Sequence, residues 1–243
     1  MTKPLLSVQG ISRKFGSLVA VNQVSFDVEA GAITSLIGPN GAGKSTVFNL
    51  LTGYVPLSSG RIEFLGERID GLATQRIASR GIARAFQIAR PFRGLSVRDN
   101  VKVGALFGRH GHRDVDETID DALRLTGLQQ LADAQAAGLS VGHLRKLELA
   151  RAVAARPTLL LADEPLAGLV PTESEEILES FRALVARGTT VLLVEHDMVS
   201  VMKVSKRVVV VEAGEVIAEG TPAEVVSDPR VIEAYLGHEE IVR

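Results

Sequence analysis

Cysteine is absent from the 243 residues. That excludes a disulfide framework and any thiolate metal centre, and is compatible with the cytoplasm. No apolar run approaches the roughly 20 residues a membrane-spanning helix requires. The N-terminal Met1-Thr2-Lys3-Pro4 lacks the apolar stretch of a signal peptide, so any membrane role is expected to run through a partner. A basic excess is missing too: the formal charge is −2, which is not the footprint of a nucleic-acid binder. Arg84, Arg90, Arg93, Arg98, Arg109 and Arg113 fall close together and read as a solvated face. The length suffices to bury a sizeable core, in one α/β domain with a lobe or in two compact subdomains.

Against these absences stands one dense signal. The run Gly38, Pro39, Asn40, Gly41, Ala42, Gly43, Lys44, Ser45, Thr46 follows the apolar stretch 32–37, so a glycine-rich loop leaves a strand and opens a helix. It fits G-x-x-x-x-G-K-[ST]. In that pattern glycines let successive N–H groups turn inward around phosphate oxygens, and the helix N-terminus adds partial positive charge. Lys44 is expected to reach the β and γ oxygens, and Ser45 to ligate Mg²⁺. The loop predicts nucleotide binding without saying what is done with the nucleotide, because kinases, GTPases, helicases and transport ATPases share it.

Along the chain, residues 5–10 and 24–28 read as short strands of an antiparallel edge sheet, with Asn22-Gln23 and Ala30-Gly31 as turn material. Ser58-Ser59-Gly60 reads as a turn before a strand over 61–64. From about Ile88 to Arg156 the pattern becomes mostly helical, broken at Pro91, Gly104, Gly108, Gly111, Gly127 and Gly138. Residues 158–162 then form a short apolar run ending in Asp163-Glu164, as expected of a parallel strand buried on both faces. One of these acids is suited to Mg²⁺ and the other to polarising an attacking water. After Pro171, the acids within Thr172–Glu176 suit the positive end of a helix whose Ile177, Leu178, Phe181, Leu184 and Val185 recur at helical spacing, with Gly188 as its stop. A second buried strand over 189–194 delivers Glu195-His196-Asp197 to the same sheet edge. Strands alternating with helices predict a mostly parallel, doubly wound sheet whose ligands bind beyond the strands' carboxyl ends.

The ordered set of motifs resembles the nucleotide-binding subunit of an ABC transporter. Gly38–Thr46 matches that family's phosphate loop, Phe86-Gln87 its glutamine loop, and Leu139-Ser140-Val141-Gly142-His143 its signature. Leu159–Pro165 matches the strand with the magnesium and catalytic acids, Ala167-Gly168-Leu169 the loop after it, and His196 the switch histidine. The resemblance covers essentially the whole chain. It implies an α/β P-loop NTPase with a RecA-like core over 1–88 and 157–243, an antiparallel β subdomain, and an inserted helical subdomain over 89–156.

The resemblance also implies roles for single residues. Phe15 would stack on adenine, and the phosphate loop, Ser140 and Gly142 would hold ATP. Ser45, Gln87 and Asp163 would serve Mg²⁺, with Lys44, Gln87, Glu164 and His196 acting in hydrolysis. In this family two subunits sandwich two ATP molecules head to tail, so Ser140 and Gly142 would serve the partner's nucleotide. Three positions depart from the usual pattern: Val141 stands for the first Gly of Leu-Ser-Gly-Gly-Gln, His143 for its Gln, and Val170 for an Asn or Asp. They are expected to slow the partner's site, with plain tolerance as the alternative.

Within the family, Lys14–Asn22, Gly81–Gln87, Arg90–Val97, Val194–Met198, Ala218–Val225 and Ala234–Gly237 are most similar to the ATP-binding subunits of branched-chain amino-acid importers. That implies a peripheral ATPase on the cytoplasmic face of the cell membrane. Its partners would be a second ABC ATPase (a homodimer is the alternative), two permease subunits and an external solute-binding protein, with no nucleic acid. A groove along Arg90–Val101 would receive a helix of the membrane subunit, with Phe92, Leu95 and Val97 as contacts. The rival readings are a lipid or lipopolysaccharide exporter and a soluble ABC ATPase acting on nucleic acid or ribosomes. The latter class usually adds a coiled coil or a second cassette, for which this length has no room.

Overall fold

The structure, a computed structural model, describes residues 3–108 and 114–236. Of the residues named above, Met1, Thr2, Arg109, Gly111, Arg113 and Gly237 lie outside the described residues. The chain divides into two compact units, one running to Ile77 and resuming at Leu192, the other spanning Ala78–Val191.

In the first unit, β1 (Leu6–Phe15) and β2 (Leu18–Val28) form a long antiparallel hairpin that pairs Leu6 with Val28 and Val8 with Phe26. Asn22 and Gln23 lie inside β2 and are not the expected turn. Gln23 adopts φ 53°, its N–H donates to Ser12 Oγ at 2.9 Å, and the register slips there. The irregularity is a bulge within a continuous strand. β3 (Ile33–Ile37) is buried at every position and leads into α1 (Lys44–Leu51). β4 (Ser59–Phe64) pairs with the other edge of β1, and β5 (Glu67–Arg68) completes a sheet of order β2-β1-β4-β5. Ser59 and Gly60 are therefore strand residues, against expectation. A Cβ on Gly60 would stand 2.4 Å from the Gly10 carbonyl oxygen, so this glycine serves close strand approach. α2 (Thr74–Ser79) follows.

The second unit opens with β6 (Ile82–Ala85), a strand the sequence reading did not anticipate. Then come α3 (Val97–Phe107), α4 (Val115–Leu125), two 3₁₀ turns and α5 (Val141–Ala154). Gly104 does not break a helix as expected. It lies within α3, where a Cβ would stand 2.1 Å from the Arg151 carbonyl oxygen, so it lets α3 and α5 meet backbone to backbone. β7 (Leu159–Asp163) is buried throughout and runs parallel to β6, with Arg84 opposite Leu161 and Ala85 opposite Ala162. α6 (Pro171–Ala186) begins with proline at its first position and Glu173 in its first turn, the arrangement favoured by the helix's positive end.

β8 (Thr190–Val194), also wholly buried, contains the boundary between the units. The first unit continues with α7 (Met198–Val204), β9 (Arg207–Glu212), β10 (Glu215–Gly220), α8 (Pro222–Val226) and α9 (Pro229–Leu236). The six-stranded sheet has the order β10-β9-β3-β8-β7-β6. β9 runs parallel to β3, pairing Val210 with Ile37, while β10 is antiparallel to β9. The fold is thus α/β with a mostly parallel sheet, as expected. Among the described residues no helix is long and apolar enough to cross a membrane.

The tail closes over the core of the first unit. Val225 and Val231 join Ile37, Val201, Val208, Val210 and Ala218 in one buried cluster, and Tyr235 packs against it. The Tyr235 hydroxyl is buried and faces the Gly38 backbone without a well-formed hydrogen bond. Burial pushes this phenol up to about 12. The neutral phenol is therefore the form the fold prefers, and its contribution is complete below the unfolded pKa near 10, then lost as pH rises through the folded one. Tyr235→Phe is expected to lose less stability than the parent chain between about pH 10 and about pH 12, as read by urea unfolding. Equal losses would contradict this packing.

Candidate nucleotide-binding site

The phosphate loop, Phe15 and His196 belong to the first unit; Gln87, Ser140, Gly142, Asp163 and Glu164 belong to the second. The loop starts where β3 ends. A Cβ on Gly38 would stand 1.9 Å from the Val211 carbonyl oxygen, and one on Gly43 2.5 Å from that of Ala20. Gly41 and Gly43 adopt φ 81° and 104°, values that L side chains rarely tolerate. The Ala42 N–H donates to the Pro39 carbonyl at 3.2 Å, and the Gly214 N–H to that of Ala42 at 3.0 Å, which closes the turn.

Lys44 folds back into this turn, its Nζ donating to the carbonyls of Gly38 (2.7 Å) and Pro39 (2.8 Å). No side chain caps α1 and no acid lies in its first turn, so the positive helix end is left to an anion. Ser45 is exposed at that end. Phe15 sits where β1 turns into β2; its ring is surface and not core, 45% exposed, with the Arg13 guanidinium 4.6 Å from its centroid. His196 follows β8 with its side chain 56% exposed, and its N–H donates to Glu195 Oε2 at 3.3 Å. Asp197, the third of that trio, caps α7 by accepting from the Val199 and Ser200 N–H groups and from the Ser200 hydroxyl. The Ser200 hydroxyl, with those N–H groups, holds its carboxyl below the usual range.

In the second unit β7 ends on Asp163, whose carboxylate is buried. Arg84 Nη2 lies 2.5 Å from Asp163 Oδ2 with both side chains buried. This corrects the reading of Arg84 as part of a solvated face; Arg90 and Arg93 are indeed exposed. The available signal was the apolar or small character of Ile82, Ala83 and Ala85 around a lone arginine. Asp163 Oδ1 is buried with no hydrogen-bond partner, an open acceptor that fits a divalent cation. Glu164 sits at φ 45°, a strained conformation for glutamate. Gln87 Nε2 donates to Glu164 Oε2 at 2.6 Å, so the glutamine-loop residue and the proposed base already touch.

The signature opens α5. Ser140 caps the helix, its Oγ accepting from the His143 N–H at 3.2 Å and lying 3.0 Å from His143 Nδ1. A Cβ on Gly142 would stand 2.2 Å from Glu173 Oε1, so the bare glycine fits against a carboxylate from α6. Val141 and Val170 are both exposed. Of the proposed groove residues Phe92 and Leu95 are exposed, but Val97 is fully buried and packs inside the unit, which removes it as a contact.

The family model for "ABC transporter" matches residues 21–167, and that for "Branched-chain amino acid ATP-binding cassette transporter" matches residues 215–241. The chain is 43% identical to the high-affinity branched-chain amino acid transport ATP-binding protein LivG of Salmonella typhimurium, over 98% of this chain and 99% of that one. It is 40% identical to BraF of Pseudomonas aeruginosa with the same coverage. Among solved structures it resembles MJ1267, an ATP-binding cassette of an ABC transporter, in its ADP conformation. That likeness has a TM-score of 0.87 at 31% identity, over 97% of this chain and 100% of that one.

The chain belongs to the ABC transporter family, as its ordered motifs lead one to expect. It is a nucleotide-binding ATPase whose turnover is coupled to transport.

Removing the guanidinium would leave the Asp163 charge buried and unpaired, so Arg84→Met is expected to cost about 3–5 kcal/mol in urea unfolding, with Arg84→Lys recovering part. A loss no larger than that of a surface substitution would mean that the pair does not hold Asp163.

Proposed function

We propose that this chain powers the uptake of branched-chain or related amino acids. It would work at the cytoplasmic face of the cell membrane with a second, related ABC ATPase, two permease subunits and an external solute-binding protein. The observation that carries this reading is the match of residues 215–241 to the branched-chain amino-acid cassette family, alongside relatives named for that transport at 40–43% identity over almost the full length. The helical stretch 89–156 would carry the signature and face the membrane subunits through Phe92 and Leu95.

The site residues keep the roles their motifs imply. ATP would draw Lys44 from the Gly38 and Pro39 carbonyls onto the β and γ phosphates, while the loop N–H groups and the open end of α1 take up the remaining charge. Phe15 would offer its ring to adenine, and His196 a hydrogen bond to the γ-phosphate. Ser45, Asp163 through its open Oδ1, and Gln87 would hold Mg²⁺, which when bound neutralises charge developing on the phosphates. Glu164, already oriented by Gln87, would polarise the attacking water. Ser140 and Gly142 would reach the nucleotide of the partner ATPase, so each composite site would draw on both chains.

Glu164→Gln is expected to retain ATP binding and to lower turnover by about 10²–10⁴-fold, trapping the closed dimer. Unchanged turnover would refute Glu164 as the base. For the transport reading, the chain would be isolated from gently solubilised membranes of its own cells and its companions identified by mass spectrometry. Two membrane proteins and a second ATPase are expected; a lone chain, or one bound to ribosomes or nucleic acid, would overturn it.

A further inference from the structure

Three side chains on one face of α5, three residues apart, reach into the loops around the candidate catalytic acid. Arg145 Nη2 donates to the Ala167 carbonyl at 3.3 Å, in the turn just after Glu164. The Glu148 carboxylate faces the Phe86 backbone N–H and accepts from the Arg151 Nη1 group at 2.9 Å. Arg151 Nη1 also donates to the Arg90 carbonyl at 3.2 Å, and its guanidinium lies 5.4 Å from the centre of the Phe92 ring. Phe86 and Arg90 flank Gln87, so the Glu148–Arg151 pair grips both ends of the short loop carrying that amide.

Glu148 is 7% exposed. Burial pushes its carboxyl above the usual range, against the pull of Arg151 and the Phe86 N–H. A buried carboxylate is costly wherever an apolar side chain would fill the same space. What this one does that an apolar residue could not is orient the arginine that holds the far end of the glutamine loop and present a negative charge to the backbone N–H at the loop's root. The helix that begins with the signature serine is thereby tied to Gln87, and Gln87 to Glu164.

We propose that Glu148, braced by Arg151, is a positioning residue for Gln87: it transmits movement of the signature helix to the contact between Gln87 and Glu164. The inference rests on the roles given above to Gln87 and Glu164, and it adds the residues that set where Gln87 stands.

The test uses the full chain assembled with its partners. Glu148→Ala is expected to raise amide hydrogen exchange across residues 84–92 about tenfold and to lower kcat for ATP about tenfold with KM changed less than about twofold. Glu148→Gln, which keeps an acceptor for the Phe86 N–H, is expected to restore most of both. Arg151→Lys is expected to speed exchange over residues 88–92 while sparing 84–87, and it serves if Glu148→Ala fails to fold. If Glu148 acts through Gln87, then in a Gln87→Ala background Glu148→Ala should lower kcat by less than about twofold. Equal losses in both backgrounds, or unchanged exchange over 84–92, would overturn the proposal. Should Gln87→Ala alone keep full turnover, the role of Gln87 fails first, and the exchange measurement alone decides whether Glu148 holds the loop.

Discussion

A carboxylate taken out of water has to be matched, and the second unit is arranged around one that is. Asp163 ends a strand whose five residues are all buried, so it cannot swing out to solvent. Arg84, on the adjacent parallel strand, supplies a guanidinium to one oxygen and leaves the other without a partner. Desolvating an ion pair costs several kcal/mol per ion, so a half-satisfied carboxylate persists only where the surroundings hold it. The same guanidinium lies 4.7 Å from the Phe86 ring centre, which fixes the residue before Gln87. From Asp163 outward, Arg84 reaches Phe86, and Gln87 beside it reaches Glu164, so one run of contacts links the two adjacent acids.

What the residues disclosed and what they hid divide along a physical line. β3, β7 and β8 are legible because a strand buried on both faces must be a continuous apolar run, and the phosphate loop because its glycines stand at a fixed spacing before Lys44 and Ser45. β6 was hidden because four residues containing an arginine carry no such pattern. Gly60, which reads as part of a turn, and Gly104, which reads as a helix break, mislead for a related reason. Glycine marks either a turn or a close approach, and only the neighbouring chain, Gly10 in one case and Arg151 in the other, tells which. Gln23 reads as turn material because a bulge and a turn draw on the same polar residues; Ser12, from the opposite strand, decides between them. Glu148 carries no signal in the sequence, since a glutamate on a helix is ordinarily solvated.

The tail makes a different point about where branch identity resides. The segment that matches the branched-chain amino-acid cassette model includes Val225, Val231 and Tyr235, and these pack on the cluster containing Ile37 and Val210. Ile37 is the last residue before the phosphate loop, and the Tyr235 hydroxyl faces the loop's first glycine. The segment matched by that model therefore abuts the phosphate loop. On the reading proposed above, the amino acid itself would be met only by the permease and the binding protein, so nothing in this chain has to be shaped to it.

At the start of α5 the chain departs from the pattern it resembles, and the consequence is one of donor supply. The Ser140 hydroxyl has a single hydrogen. Its oxygen already accepts the His143 N–H, and His143 Nδ1 lies within hydrogen-bond reach. If that ring nitrogen is bare, the hydroxyl hydrogen is drawn to it; if it carries a proton, the ring donates and the hydroxyl is released to donate elsewhere. The glutamine usual at this position has a carboxamide, which presents donor and acceptor together. Beside this turn the Glu173 carboxylate rests where Gly142 lacks a side chain, and on the roles proposed above a phosphate arriving at Gly142 would meet that anion. The serine hydrogen is available to another acceptor only when the histidine ring does not hold it. The histidine therefore stands within the Ser140 cap and makes the hydroxyl's freedom to donate depend on which ring nitrogen carries the hydrogen.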